Sequence, residues 1–195
     1  MSDIKSLHKK GLELQKTGKQ EEAISYFDKA IKRQPSNADL FYDKAISLQR
    51  LFRFEDAIAF YDKSLEIEPN SFASLINKGL CLSNSSINRQ NEAVICFEEA
   101  IKIEPNDLGV QTLLGYSLDS IGRYSEAINC YDKVLENAPN DLNVLANKGL
   151  SLLHLGRYDE AIAYFDKVIE DEPNNLFAQE WKKDAIKMQD KHLLF

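Results

Sequence analysis

The chain has 195 residues, 44% of them apolar and 28% charged, with a mean hydropathy of −0.39. That balance is too apolar for a disordered chain and too polar for a membrane-embedded one, and no apolar run approaches the roughly 20 residues that span a bilayer. The net charge of −7 is uneven: residues 1–37 carry eight Lys/Arg against five Asp/Glu, and residues 38–175 carry 12 against 23. An acidic body argues against nucleic acid, whose phosphates need many Lys/Arg contacts, and favours basic or apolar partners. The start, Met1-Ser2-Asp3-Ile4-Lys5, opens no apolar signal segment, and Cys81, Cys96 and Cys130 form no CxxC pair. Both features suit a reducing compartment, so the expectation is a cytoplasmic protein with no membrane insertion.

The prolines divide the chain. Pro35, Pro69, Pro105, Pro139 and Pro173 are separated by 34, 36, 34 and 34 residues. Ala23, Ala57, Ala93, Ala127 and Ala161 keep the same beat, and so do the aromatics four residues on, Phe27, Tyr61, Phe97, Tyr131 and Phe165. The repeats are therefore 4–37, 38–71, 72–107, 108–141 and 142–175, within one domain spanning 1–195. Each reads as two helices. In the first, Gln20 stands where the second, fourth and fifth repeats have Phe or Tyr. In the second, Phe52 replaces the glycine that elsewhere ends the first helix. The third carries a two-residue insertion, and Ser83 to Asn91 has the composition of a longer, mobile turn. In the fifth, Leu145, Leu152 and Leu155 recur at helical spacing, and Gly156 suits a left-handed helix end. Asp159 and Glu160 fall in the first turn of the next helix, and Asp141 suits an N-cap. Residues 176–195 read as a capping helix, with Ala178, Ala185 and Ile186 covering the last repeat and Lys182, Lys183, Lys187 and Lys191 facing water. The apolar end Leu193-Leu194-Phe195 either folds back, frays or seeds self-association.

Small residues also recur: Gly11, Ala45, Gly79, Gly115 and Gly149 hold one position in the first helices. They predict close approach of the two helix backbones, with the periodic alanines opposite. A 34-residue helix–turn–helix period with these small and aromatic positions resembles the tetratricopeptide repeat family across residues 4–175. The resemblance implies an all-α fold, a right-handed α-solenoid of antiparallel helix pairs. Such repeats bury their apolar faces only by stacking on one another.

The resemblance also implies a concave groove lined by the first helices, at the second, fifth, sixth, ninth, twelfth and thirteenth positions of each repeat. The groove candidates are Lys9, Leu12, Tyr42, Ile46, Gln49, Ile76, Asn77, Leu80, Thr112, Leu113, Tyr116, Asn147 and Leu150. The ninth position is apolar or aromatic in every repeat (Leu12, Ile46, Leu80, Tyr116, Leu150), either as an exposed binding row or half-buried between neighbouring helices. In related grooves an Asn at the sixth position grips a peptide backbone, and Asn77 and Asn147 match it. The carboxylate clamp of one branch of the family, which grips acidic chaperone tails, is absent: His8, Leu12 and Asp43 stand at its positions.

Signatures of chemistry are lacking. His8, His154 and His192 are far apart in sequence, Cys96 and Cys130 read as small packing residues, and no phosphate-binding or nucleophile-elbow motif occurs. The expectation is a non-enzymatic scaffold without cofactor or metal. It would bind a peptide or helix of a partner protein in the groove; the alternative is a module that self-assembles into homo-oligomers through its terminal repeats.

Overall fold

The structure, a computed structural model, describes residues 2–192. Leu193-Leu194-Phe195 and the side chain of His192 lie outside the described residues. The residues group into two compact units, Met1–Pro105 and Asn106–Phe195. The first holds α1 (Ser2–Lys16), α2 (Gln20–Arg33), α3 (Ala38–Arg50), α4 (Phe54–Ile67), α5 (Phe72–Ser83) and α6 (Gln90–Ile103). The second holds α7 (Leu108–Ser120), α8 (Tyr124–Asn137), α9 (Leu142–His154), α10 (Tyr158–Asp171) and α11 (Leu176–His192). No strand occurs among the described residues. Within each unit a helix packs on the one before and the one after it, the pairing expected of the repeats.

Each pair is joined by the same bend. The residue two before the second helix is left-handed in all five repeats: Gly18, Phe52, Asn88, Gly122 and Gly156, with φ of 81°, 59°, 51°, 78° and 73°. The next amide reaches back to a leucine carbonyl of the first helix, as from Arg53 to Leu48 (3.0 Å) and Arg157 to Leu152 (2.9 Å). This closes the helix end with the bonding of a glycine-type C-cap. The third repeat keeps the bend despite its insertion: Arg89 still donates to Leu82 (2.9 Å), and the extra residues loop out on hydrogen bonds to the Asn84 side chain. Asn88 supplies the left-handed residue, a conformation asparagine tolerates better than most.

The helix starts follow two rules. Asn37, Asp107 and Asp141 cap α3, α7 and α9 by accepting backbone N–H bonds. The helices α4, α6, α8 and α10 lack such a cap; instead an arginine just outside pairs with an acid in the first turn. These pairs are Arg53–Asp56, Arg89–Glu92, Arg123–Glu126 and Arg157–Glu160. The carboxylate meets the positive end of the helix and the guanidinium holds it there.

The small residues work differently from the expectation. They face the periodic aromatic rings, not the alanines. A Cβ on Gly11 would come within 2.4 Å of the Phe27 ring, on Gly79 within 2.6 Å of Phe97, on Gly115 within 2.5 Å of Tyr131 and on Gly149 within 2.9 Å of Phe165. All five rings are fully buried. Glycine in four of the five repeats makes room for the ring to approach the backbone of the first helix closely.

Between repeats a lysine–aspartate pair recurs at a spacing of 16: Lys44–Asp28 and Lys78–Asp62 (each 2.5 Å), Lys148–Asp132, and Lys182–Asp166 (2.5 Å). Lys182 is thus paired and not directed to water as expected. In α11, Ala178 and Ala185 are buried against the last repeat, with Trp181 packed beside them, but Ile186 is 40% exposed. Leu155, expected in the apolar stripe of α9, is also exposed, because the helix ends before it.

Candidate functional site

The first helices of the repeats carry the candidate residues. In the first unit, Leu12 on α1, Tyr42, Ile46 and Gln49 on α3, and Ile76, Asn77 and Leu80 on α5 are all half-buried, while Lys9 is exposed. Leu12 rests on the cluster of Leu14, Ala23 and Phe27. The ninth-position side chains therefore combine the two readings open in the sequence: their bases are packed and their outer surfaces remain in contact with solvent. The Asn77 amide donates to the Ala73 carbonyl (2.9 Å) and lies 3.4 Å from the Tyr42 hydroxyl. Gln49 accepts from the Tyr61 hydroxyl (2.6 Å), so its carbonyl oxygen is committed to holding the ring of its own repeat. Burial, and then the Asp43 charge, raise the Tyr42 hydroxyl above its ordinary pKa.

His8 and Asp43 replace two clamp residues, and they meet. His8 Nε2 is 2.5 Å from Asp43 Oδ2, both largely shielded. The Asp43 hydrogen bond raises the His8 pKa above its ordinary value against the opposing cost of burial. Gln15 extends this junction, donating to the Asp43 carbonyl (2.8 Å) and to Ser47 Oγ (3.0 Å). The polar groups here satisfy one another and tie α1 to α3.

In the second unit, Thr112, Leu113 and Tyr116 on α7 and Asn147 and Leu150 on α9 are the candidates. Tyr116 is the most open, at 36%, and the others are half-buried. The Thr112 hydroxyl donates to the Leu108 carbonyl (2.8 Å) and the Asn147 amide to the Asn143 carbonyl (2.7 Å). Tyr116, Asn147 and Leu150 share a cavity of about 390 Å³ with Asp119, Ser120, Tyr124 and His154. Thr112 and Leu113 do not line it. Four of its lining residues, Asp119, Ser120, Tyr124 and His154, were not among the sequence candidates.

Asp119 is set deeply. Its Oδ2 accepts from the Tyr131 hydroxyl and its Oδ1 from Ser151 Oγ, each at 2.6 Å. Desolvation nevertheless raises its pKa above the usual carboxylate value, outweighing the two hydroxyl donors. Tyr124 and His154 stack face to face, 4.6 Å apart and 6° from parallel. The carbonyl of Leu150 lies 2.9 Å from His154 Nδ1, which fixes the ring. One signal for Asp119 was present in the sequence. Two of the five periodic rings are tyrosines, and each donates to the twelfth residue of its own repeat, Tyr61 to Gln49 and Tyr131 to Asp119.

No group of three or more His, Cys, Asp or Glu suited to a metal occurs among the described residues. Cys81, Cys96 and Cys130 are buried free thiols; desolvation pushes Cys81 up to about 12, far from a reactive thiolate. No helix among the described residues is long and apolar enough to cross a membrane.

Comparison with known proteins agrees with this architecture. Two sequence profiles described as tetratricopeptide repeat match residues 8–72 and 112–175, and residues 73–107. No curated protein sequence matches. Among solved structures, YrrB, a tetratricopeptide protein "with an unusual peptide-binding site", superposes with a TM-score of 0.84 at 20% identity. The match covers 91% of this chain and 90% of that one. MamA from Desulfovibrio magneticus superposes with a TM-score of 0.80 at 22% identity, covering 90% and 98%. A repeat protein from Parabacteroides merdae gives 0.83 at 18%, covering 98% and 75%. At these identities the likeness concerns the fold alone. The profiles cover most of the chain, and the protein belongs to the tetratricopeptide repeat family.

Proposed function

We propose that this protein is an interaction scaffold that binds a peptide or helix of a partner protein on the faces of its first helices. The tetratricopeptide fold is in general a non-catalytic scaffold for protein or peptide partners. The observation that carries the reading is the ninth-position row. Leu12, Ile46 and Leu80 in one unit and Leu150 in the other are half-buried at the first-helix surface, with Asn77 and Asn147 beside them. Apolar side chains kept partly open along a helix surface are what an apolar peptide face requires. The peptide-binding description of YrrB, a protein of the same fold, supports the same use here.

The test is a peptide-display selection on the wild-type protein, with the selected peptides measured by fluorescence anisotropy. Leu80→Asp and the control Ile95→Asp, at an exposed position of α6, are compared with wild type. The expected outcome is loss of binding by at least about tenfold in Leu80→Asp and none in Ile95→Asp. Equal binding by all three folded proteins would remove the first-helix face as the site.

A further inference from the structure

The cavity between α7 and α9 has a chemistry that the row of apolar residues does not predict. Its floor is a single carboxylate, Asp119, whose two oxygens each hold one hydroxyl donor and retain lone-pair capacity. The charged group that acts on the Asp119 carboxyl is His154, which lowers its pKa against the effect of burial. By contrast, Lys44, Lys78 and Lys148 each pair with an aspartate, and Asp56, Glu92, Glu126 and Glu160 each pair with the arginine that precedes their helix. The walls of the cavity are flat and aromatic, Tyr116 on one helix and the stacked pair Tyr124 and His154. A partly desolvated acid that shares a cavity with aromatic rings has the elements that recognise a planar cation: charge, acceptor oxygens and stacking surfaces. The volume of about 390 Å³ exceeds what one side chain needs.

We propose that this cavity seats an arginine side chain of the bound partner, its guanidinium against Asp119 and stacked on the tyrosine walls. The assignment rests on the peptide-scaffold reading and adds the chemistry of the partner, an apolar segment carrying an arginine. Arginine suits the site better than lysine, because its flat guanidinium can lie parallel to a ring while two of its N–H groups bond a carboxylate edge-on, whereas an ammonium is a compact point charge. The acidic excess of residues 38–175 favours the approach of such a segment.

The probes are N-acetyl-arginine amide, its lysine counterpart, and N-acetyl-citrulline amide, which keeps the shape of arginine without the charge. Each is titrated into the full chain with amide NMR shifts as readout. The arginine amide should give saturable shifts at Tyr116, Asp119 and Asn147, with lysine weaker and citrulline silent. Asp119→Asn should weaken arginine binding by at least about tenfold. Tyr124→Leu, which leaves the bonds to Asp119 in place, should weaken it as well. Thermal melts confirm that both variants are folded. Arginine binding unchanged by both variants, or citrulline binding equal to arginine, overturns the proposal. So do display-selected peptides that lose binding to Leu80→Asp, lack arginine and are indifferent to Asp119→Asn; that result leaves the scaffold reading standing. Arginine binding at Asp119 with no peptide sensitive to Leu80→Asp would keep the pocket and remove the apolar row.

Discussion

His8 shows how a polar residue on the binding face is consumed by structure. It sits 2.5 Å from Asp43, one repeat away, and the contact raises its pKa above 6.5. A histidine whose folded pKa is raised stabilises the fold fully below the unfolded value, and that contribution disappears as pH rises through the folded value. The groups acting on it are Asp43 and Asp39, both acidic, so the sign is not in doubt. His8→Gln should therefore cost on the order of 1 kcal/mol near pH 6 and clearly less near pH 8.5, read from urea unfolding midpoints. A cost that does not change with pH would mean that the neutral ring provides the whole interaction. Phe52 is the opposite case. It occupies the left-handed bend position with φ 59° and is 80% exposed, held only by an edge contact to Phe54 at 6.1 Å. A phenylalanine there costs roughly 1 kcal/mol or more relative to glycine, and no interaction in the structure explains its presence.

At the level of helices, the recurring lysine–aspartate pair joins consecutive repeats. Lys148 is the most buried case: only 8% exposed, bonded to Asp132 and to the Tyr164 hydroxyl (2.6 Å). The fourth repeat shows that the pair is dispensable, because Leu114 stands at the lysine position and is itself buried. A shorter apolar side chain can thus stand in place of the ion, as physical estimates for buried pairs also suggest. Asp132→Ala should destabilise by about 1–2 kcal/mol, since it leaves the ammonium shielded with one neutral partner. Adding Lys148→Met should recover most of that loss. A double-mutant cycle by chemical denaturation decides it, and additive losses would show that each residue contributes independently of the pair. Much at this scale was legible in the sequence. Prolines, capping acids and bend glycines act through local backbone geometry, which a linear pattern reports directly. The ring opposite each glycine was not legible, because two small residues per repeat competed for the same role and only packing separates them. Asp119 was hidden for a related reason: its neighbours Tyr131 and Ser151 come from two other helices, 12 and 32 residues away.

For the molecule as a whole, the main contacts among the described residues of each unit run between neighbouring helices in the chain and to the first helix of the next repeat. Stability in such an array approximates a sum of repeat and interface contributions, and damage stays local. The apolar cluster of the second unit extends from Ile128 through Phe165 to Ala185 on α11, so α11 belongs to the core that holds α9 and its cavity. Ala185 is fully buried, and a charge there cannot be solvated without displacing the helix. Ala185→Asp should therefore raise amide exchange strongly through α10 and α11, more weakly in α9, and leave α1 to α6 protected as in the wild type. The same variant should weaken binding of arginine amide to the α7–α9 cavity only as far as α9 loosens, whereas Leu80-sensitive peptide contacts of the first unit persist. Exchange rising evenly over all helices would show instead that the chain opens as one cooperative body, and that the α7–α9 cavity and the apolar row of the first unit are energetically a single site.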